Sequence, residues 1–136
     1  MTLNESFDLN QLPDAGVHVA LGITVEEATP ERVVVSVPVT SKVHQPYGIL
    51  HGGVSALLAE SAASIGGAVT APAGKVVVGT ELNCSHLRSM TDGLLTAIAT
   101  PIRIGRTIQV WGIELTDEQG RTICTARCSL AVIERP

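Results

Sequence analysis

The chain has 136 residues, the size of one ordinary domain. Hydrophobic residues make up 45% of it and charged residues 16%, a composition that excludes a disordered chain. The net charge of -4 argues against a nucleic-acid partner, because phosphate backbones are bound by clustered Lys and Arg side chains.

The N-terminal segment, residues 1–18, is predicted to be an arm or a short helix, and residues 19–136 to form a single domain. The segment has neither the basic nor the apolar region of a signal peptide. No apolar run in the chain approaches the ~20 residues that span a bilayer. We therefore expect a cytoplasmic protein without membrane association.

Two strands are predicted next, over Val19–Thr29 and Glu31–Val39. Valines occupy alternate positions in the second of them, which is the pattern of a strand with one buried face. A loop over Thr40–Leu50 follows, and Pro and Gly residues interrupt it.

The segment Gly53–Thr70 is predicted to be the one long helix. Apolar and small residues recur along it at helical spacing. The stripe consists of Val54, Leu57, Leu58, Ser61 and Ile65. Glycines weaken the end of this helix, and Pro72 and Gly74 terminate it.

Four further strands are predicted, separated by short turns that favour antiparallel pairing. They are Lys75–Leu87, Leu94–Ile104, Thr107–Leu115 and Arg121–Ile133. The order of elements predicts an α+β fold, in which one long central helix is wrapped by a curved antiparallel sheet of about six strands. A doubly wound fold is excluded because strands and helices do not alternate.

Several side chains are predicted to be structural. The cysteines, Cys84, Cys124 and Cys128, lack the spacing of metal ligands and are expected to be small buried residues in a reducing compartment. Trp111 alternates with other apolar residues and is expected in the core or an interface. No role is predicted for His18.

Glu60 is the only formally charged residue between Val43 and Gly74. No Lys or Arg lies three or four residues away on the predicted helix to pair with it. Burial of an unpaired carboxylate costs several kcal/mol. Glu60 therefore either points to solvent or is held at a site where an unpaired carboxylate is useful.

The sequence His51-Gly52-Gly53 stands where the loop enters the predicted helix. The first amides of a helix lack internal acceptors and attract negative charge, so they suit an oxyanion that develops on a carbonyl oxygen. Gln45 adds a neutral hydrogen-bonding group in the preceding loop. An ordinary loop histidine is the alternative interpretation of His51.

Arg88, Arg103 and Arg106 fall at strand ends or turns, with His86 nearby. In the predicted antiparallel order, the end of the third strand and the turn after the fourth are expected to lie close together. Guanidinium groups suit phosphate oxygens, so the three arginines predict a phosphate-binding cluster. The alternative is that they are solvated turn residues.

The run from His44 to Ser61, HQPYGILHGGVSALLAES, resembles the signature of hotdog-fold acyl-CoA thioesterases. The most similar branch contains the 1,4-dihydroxy-2-naphthoyl-CoA thioesterase of menaquinone synthesis and the Glu-type 4-hydroxybenzoyl-CoA thioesterase. The resemblance covers roughly Ala20 to Val132. It continues through Val77–Asn83, His86–Arg88, Gly105–Arg106, Trp111 and Asp117–Arg121.

The resemblance implies roles for the helix and the loop before it. Glu60 matches the catalytic carboxylate, which acts as nucleophile or as general base on water. Gly52 matches the amide that polarises the thioester carbonyl, and His51 and Gln45 match side chains that orient the thioester. Ser64 matches a hydroxyl that positions water or the intermediate.

The resemblance also implies a coenzyme A site and an assembly. The residues that match CoA-contacting stretches are Gly79, His86, Arg88, Ser89, Arg103, Gly105, Arg106 and Thr107. The site is implied to form between two subunits, and dimers to pair into a homotetramer. No cofactor is expected, since CoA is part of the substrate.

The sequence therefore predicts a thioesterase that hydrolyses an acyl-CoA, with a preference for an aromatic acyl group. A broad-specificity proofreading thioesterase acting on acyl-CoA or acyl carriers is the main alternative. A non-catalytic acyl-CoA-binding module is another. A hotdog hydratase is disfavoured because no Asp occurs between Asp14 and Asp92.

Overall fold

Alternating apolar residues turn one face of each strand towards a single long helix. The computed structural model describes residues 14–136. The elements are α1 (Val17–Leu21), β1 (Thr24–Ala28), β2 (Val33–Pro38), a 3-10 turn (Ser41–Val43), α2 (Gly52–Thr70), β3 (Lys75–His86), β4 (Leu94–Ile104), β5 (Ile108–Thr116) and β6 (Thr122–Glu134). The six strands form one antiparallel sheet in the order β1-β2-β4-β5-β6-β3, which confirms the predicted architecture. Most of the predicted arm, residues 1–18, lies outside the described residues, and the division at residue 18 stays a prediction.

The first predicted strand, Val19–Thr29, is wrong over its N-terminal part. Val17–Leu21 is a helix, and the strand begins at Thr24. The helix lies between two glycines with positive φ, Gly16 at 107° and Gly22 at 73°. The left-handed conformation of Gly22 ends the helix. Alternating apolar residues in so short a segment fit one helical turn as well as a strand.

The buried face of α2 is made mainly of small residues. It includes Ser55, Leu58, Ala59, Ala62, Ala63, Gly66 and Gly67. This face is rotated from the predicted stripe, so that Val54, Leu57 and Ser61 are only partly buried. A Cβ atom at Gly66 would lie 2.5 Å from Trp111 Cη2. The glycines near the helix end therefore allow the sheet to approach α2 closely.

By length and composition alone, α2 could cross a membrane. It has 19 residues, and an 18-residue window within it has a mean hydropathy of 1.2. The core helix of a globular domain passes the same test. The small-residue face of α2 packs against all six strands of the sheet.

β3 is a long strand at one edge of the sheet. Its 12 residues pair with β6, and within residues 14–136 no strand pairs with its other edge. The opposite edge strand, β1, has 5 residues. Long unprotected edges are templates for pairing with another chain, so β3 is the edge that is available for association.

Candidate active site

The Glu60 carboxylate lies on the side of α2 that faces β3. A Cβ atom at Gly79 would lie 2.8 Å from Glu60 Oε2, so the bare backbone of Gly79 makes room for the carboxylate. Glu60 is exposed in the single chain, and the ion pairs among the described residues do not include it. The side chain is therefore unpaired, as predicted, but it is not buried within one chain.

Glu60 lines an open groove of about 630 Å³ between α1, α2 and β3. The polar side chains of the groove are His18, Glu60, Ser61 and Ser64. Ser64 lies one helical turn beyond Glu60, so both residues share this face of α2. The Glu60 carboxylate and the Ser64 hydroxyl, which are predicted to act together, therefore line the same groove.

His51 caps the N-terminus of α2. Its Nδ1 atom accepts a hydrogen bond of 2.8 Å from the Gly53 amide. The Gly52 amide makes no hydrogen bond with any residue from 14 to 136. His51 Nδ1 accepts the hydrogen bond of the Gly53 amide, so the Gly52 amide is, within the described part of the chain, the free donor at the positive end of the helix dipole. This is the arrangement expected of an oxyanion site.

Gly52 lies in a second, smaller pocket of about 320 Å³. His86, Arg88 and Ser89 line the same pocket. The His86 ring lies against Gly52, since a Cβ atom there would be 3.2 Å from His86 Nε2. The candidate oxyanion donor and three residues predicted to bind CoA are therefore neighbours.

Glu60 and Gly52 do not share a pocket within one chain. They are separated by eight residues of helix, a rise of about 12 Å. A single carbonyl group cannot contact both. One chain thus carries two half-sites, one with Glu60, Ser64 and Gly79 and the other with Gly52 and His86.

Gln45 lies in the loop before α2, where His44 and Leu50 form an isolated bridge. Its side-chain oxygen accepts a hydrogen bond from the Tyr47 amide. The loop enters the helix at His51, six residues after Gln45. The role of Gln45 towards a thioester stays a prediction.

The arginines expected to cluster do not do so within one chain. The end of β3 pairs with β6 at Cys124, whereas the β4–β5 turn lies beside the other end of β6, where Val132 N donates to Thr107 O at 2.9 Å. About seven residues of strand, or about 23 Å, separate these positions. The prediction that Arg88 lies near Arg103 and Arg106 in one chain is wrong, because β6 runs between them from end to end.

The β4–β5 turn itself is tight. The Gly105 amide donates to Ile108 O at 2.9 Å. A Cβ atom at Gly105 would lie 2.7 Å from that same oxygen. Glycine is therefore needed for this turn, whose further residues include Arg106 and Thr107, and their contribution to CoA binding stays a prediction.

The cysteine thiols are poor candidates for a nucleophile. Burial raises the pKa of Cys128 to about 11, and the nearby Glu60 carboxylate adds to the shift. Burial likewise raises the pKa of Cys124 to about 12. A protonated thiol is neither a good nucleophile nor a metal ligand. Over residues 14–136, no group of three His, Cys, Asp or Glu side chains is placed to hold a metal ion.

His18 is the groove residue that sequence reasoning missed. Its Nε2 atom lies 2.9 Å from Ser61 Oγ. The residue sits in α1, where a strand was predicted to begin, and its partner is 43 positions away. No local pattern indicates such a contact, so only the tertiary structure could reveal it.

The fold is that of a hotdog thioesterase, and the chain belongs to the thioesterase superfamily, which it matches over residues 47–124. It is 47% identical over 117 residues to a 1,4-dihydroxy-2-naphthoyl-CoA hydrolase of Listeria monocytogenes, covering 86% of this chain and 95% of that one. It is 42% identical over 113 residues to the proofreading thioesterase EntH of Cronobacter sakazakii, covering 83% and 82%.

A solved structure shares the whole fold. The thioesterase of Haemophilus influenzae is 39% identical, with a TM-score of 0.88, and the match covers 98% of this chain and 96% of that one. The predicted fold, family and hydrolase class are thereby confirmed.

Proposed function

We propose that this protein hydrolyses the thioester of an aromatic acyl-CoA to the free acid and CoA, with Glu60 as the catalytic carboxylate. The observation that carries the proposal is the unpaired Glu60 carboxylate, which shares a mostly apolar groove with Ser64. The relative named 1,4-dihydroxy-2-naphthoyl-CoA hydrolase supports an aromatic acyl group. A cytoplasmic location stays a prediction.

Hydrolysis of a thioester requires few catalytic groups beyond a carboxylate and an oxyanion donor. A thiolate leaves without much help from an acid. Glu60 either attacks the carbonyl carbon and displaces the thiolate, giving an anhydride that water then hydrolyses to the free acid, or removes a proton from a water that attacks the carbonyl carbon. Ser64 is placed to orient that water. In both routes the negative charge moves to the carbonyl oxygen, which the Gly52 amide stabilises.

We further propose that the Gly52 amide comes from a second copy of the chain. Gly79 lies next to Glu60, and His86 lies next to Gly52. β3 therefore contains one residue beside each half-site. If two copies pair antiparallel along β3 about a two-fold axis at Asn83, His86 of one copy lies opposite Thr80 of the other, next to Gly79 of that copy. Glu60 of one chain then approaches Gly52 of the second.

The same pairing explains the separated arginines. It places Arg88 of one copy beside Val78 of the other. Val78 pairs with Ala131 of β6, which pairs with Ile108 of β5. Three strand spacings, about 14 Å, then separate Arg88 from the β4–β5 turn of the second copy. Arg88 and the Arg106 turn of two chains would bind the phosphates of one CoA.

The catalytic assignment is tested by replacing the carboxylate with its isosteric amide. We expect Glu60→Gln to lower kcat for aromatic acyl-CoA hydrolysis by about 10²- to 10⁴-fold, the usual contribution of a general base, with an unchanged melting temperature. Release of the CoA thiol is the readout. Glu27→Gln, on the surface strand β1, is the matched control and should keep the wild-type rate. A folded Glu60→Gln protein with wild-type turnover would refute the assignment.

The assembly is tested with a cysteine at the proposed axis. Directly opposed residues of an antiparallel pair have Cα atoms about 4.5 to 5.5 Å apart, which a disulfide can span. We expect Asn83→Cys to form a disulfide-linked dimer on mild oxidation, and Asn83→Ser not to. A protein that sediments as a monomer at micromolar concentration would refute the shared site. Pairing of dimers into a homotetramer stays a prediction for the same sedimentation experiment.

A broad-specificity proofreading thioesterase is the second candidate function. It is favoured by the relative named proofreading thioesterase. Values of kcat/KM for dihydroxynaphthoyl-, hydroxybenzoyl- and straight-chain acyl-CoA esters separate the two. A preference for one aromatic ester favours the dedicated enzyme, and similar values for all favour the proofreading role.

A further inference from the structure

The groove beside Glu60 contains a second polar feature that the catalytic chemistry does not use. His18 Nε2 and Ser61 Oγ form a hydrogen bond of 2.9 Å between α1 and α2. Both residues line the groove. His18 is partly buried, whereas its neighbours Val17 and Val19 are exposed. The pair therefore faces the space in which an acyl group would lie.

The His18–Ser61 pair has hydrogen-bonding capacity left over. A serine hydroxyl can donate one hydrogen bond and accept two. Among residues 14–136, the hydrogen bond to His18 is the one that the Ser61 hydroxyl makes. A polar group brought into the groove can therefore bind the pair without breaking it.

The walls around this pair are apolar. They consist of Val17, Ala56, Leu57, Ile65 and Leu82. Such walls accept hydrocarbon and offer no other partner for a hydroxyl apart from the reacting groups themselves. A ligand that satisfies both parts of the groove has a flat or bulky hydrocarbon body with a hydroxyl attached to it.

We propose that His18 and Ser61 bind a ring hydroxyl of the acyl group and so make the enzyme prefer hydroxylated aromatic thioesters. This inference rests on the proposed thioesterase function and assigns its specificity. The pair does not act on the thioester. Ser61 directly follows Glu60 along α2, so a bound hydroxyl also fixes the distance of the ring from the carboxylate.

The alternative is that the pair only attaches α1 to α2. Other contacts already hold α1, because Leu21 within it and Ile23 directly after it pack against the core. An attachment role and a recognition role differ in their consequences. Loss of an attachment changes the turnover of every ester alike, whereas loss of recognition changes only esters that carry the hydroxyl.

The experiment compares benzoyl-CoA with its 2-, 3- and 4-hydroxy derivatives. We expect the wild-type protein to favour at least one hydroxylated ester over benzoyl-CoA by about 5- to 10-fold in kcat/KM, the worth of one hydrogen bond. His18→Leu and Ser61→Ala should remove that preference and leave benzoyl-CoA within about twofold of wild type. His18→Gln, which keeps a hydrogen-bonding group, should retain part of it. Val19→Ala, on the exposed side of α1, is the control and should change nothing.

The outcomes separate this inference from the proposed function. If the variants lose activity on all four esters equally, or if the wild type shows no preference, the inference is overturned while the thioesterase function stands. If the wild type releases no thiol from any ester, the proposed function fails. Calorimetric binding of the same four esters then decides the inference, which an absence of preference in Kd would overturn.

Discussion

Gly79 offers a way to move the catalytic carboxylate without removing it. A Cβ atom at this position would lie 2.8 Å from Glu60 Oε2, and ordinary contact begins at 3.4 Å, so the carboxylate would retreat by about 0.6 Å. Since a displacement of 1 Å costs about 10²-fold in rate, we expect Gly79→Ala to lower kcat by about 10- to 20-fold. The measurement is thiol release at saturating aromatic acyl-CoA.

The fold should not suffer from this substitution. Gly79 has no positive φ, so alanine fits its backbone and stabilises by restricting the unfolded chain, by about 0.4–1 kcal/mol. Gly112→Ala in β5 is the matched control, because its new Cβ meets only the flexible end of Ile102, at 3.3 Å. Wild-type kcat in a folded Gly79→Ala protein would refute the idea that contact with β3 positions the carboxylate. An equal loss in Gly112→Ala would attribute the effect to strand stiffening instead.

Three further predictions concern stability and thiol reactivity. Gly66→Ala forces a Cβ against the Trp111 ring and should lower the free energy of unfolding in urea by about 1–3 kcal/mol; an unchanged midpoint would contradict the close packing. Burial alone would raise the pKa of Asp117, but hydrogen bonds from Arg121 outweigh it and hold this pKa below its usual 3.8. Asp117 stabilises the folded protein at pH values above its pKa in the unfolded chain, and this stabilisation is lost as the pH falls through its pKa in the folded protein. Melting temperatures measured from pH 5 to 2 should therefore fall less steeply in Asp117→Asn than in wild type. Cys128, with a pKa of about 11, should react with a disulfide reagent at pH 8 only after unfolding, and rapid labelling of the native protein would show that this thiol is accessible.

Much of the fold follows from periodicity. The strand Leu94–Ile104 and the helix that ends at Thr70 were predicted to within a residue, because long elements repeat their buried positions several times. The segment Val17–Leu21 was not, since one helical turn contains too few apolar positions to distinguish it from a strand. Its ends depend on the conformations of Gly16 and Gly22, which are set by the tertiary structure.

The residues of the candidate site could be predicted from the sequence, but their positions relative to one another could not. Glu60 and Gly52 are recognisable because a lone carboxylate and a glycine at a helix start are chemically unusual. Their separation within one chain follows from the rise of the helix. The distance between Arg88 and Arg106 depends on which strand lies at the edge of the sheet, and a sequence with short turns leaves that order open. His18 depends on a contact between segments far apart in the chain.

The tight fit of α2 on the sheet has a consequence for how this enzyme can change over time. Because Gly66 and Gly67 leave no gap between α2 and the sheet, the helix that carries Glu60 tolerates almost no change in position. The walls of the groove come partly from α1 and β3, which mutation can alter without moving α2. New substrates are therefore accessible to descendants of this protein through changes in those two segments, while the reaction itself stays the same.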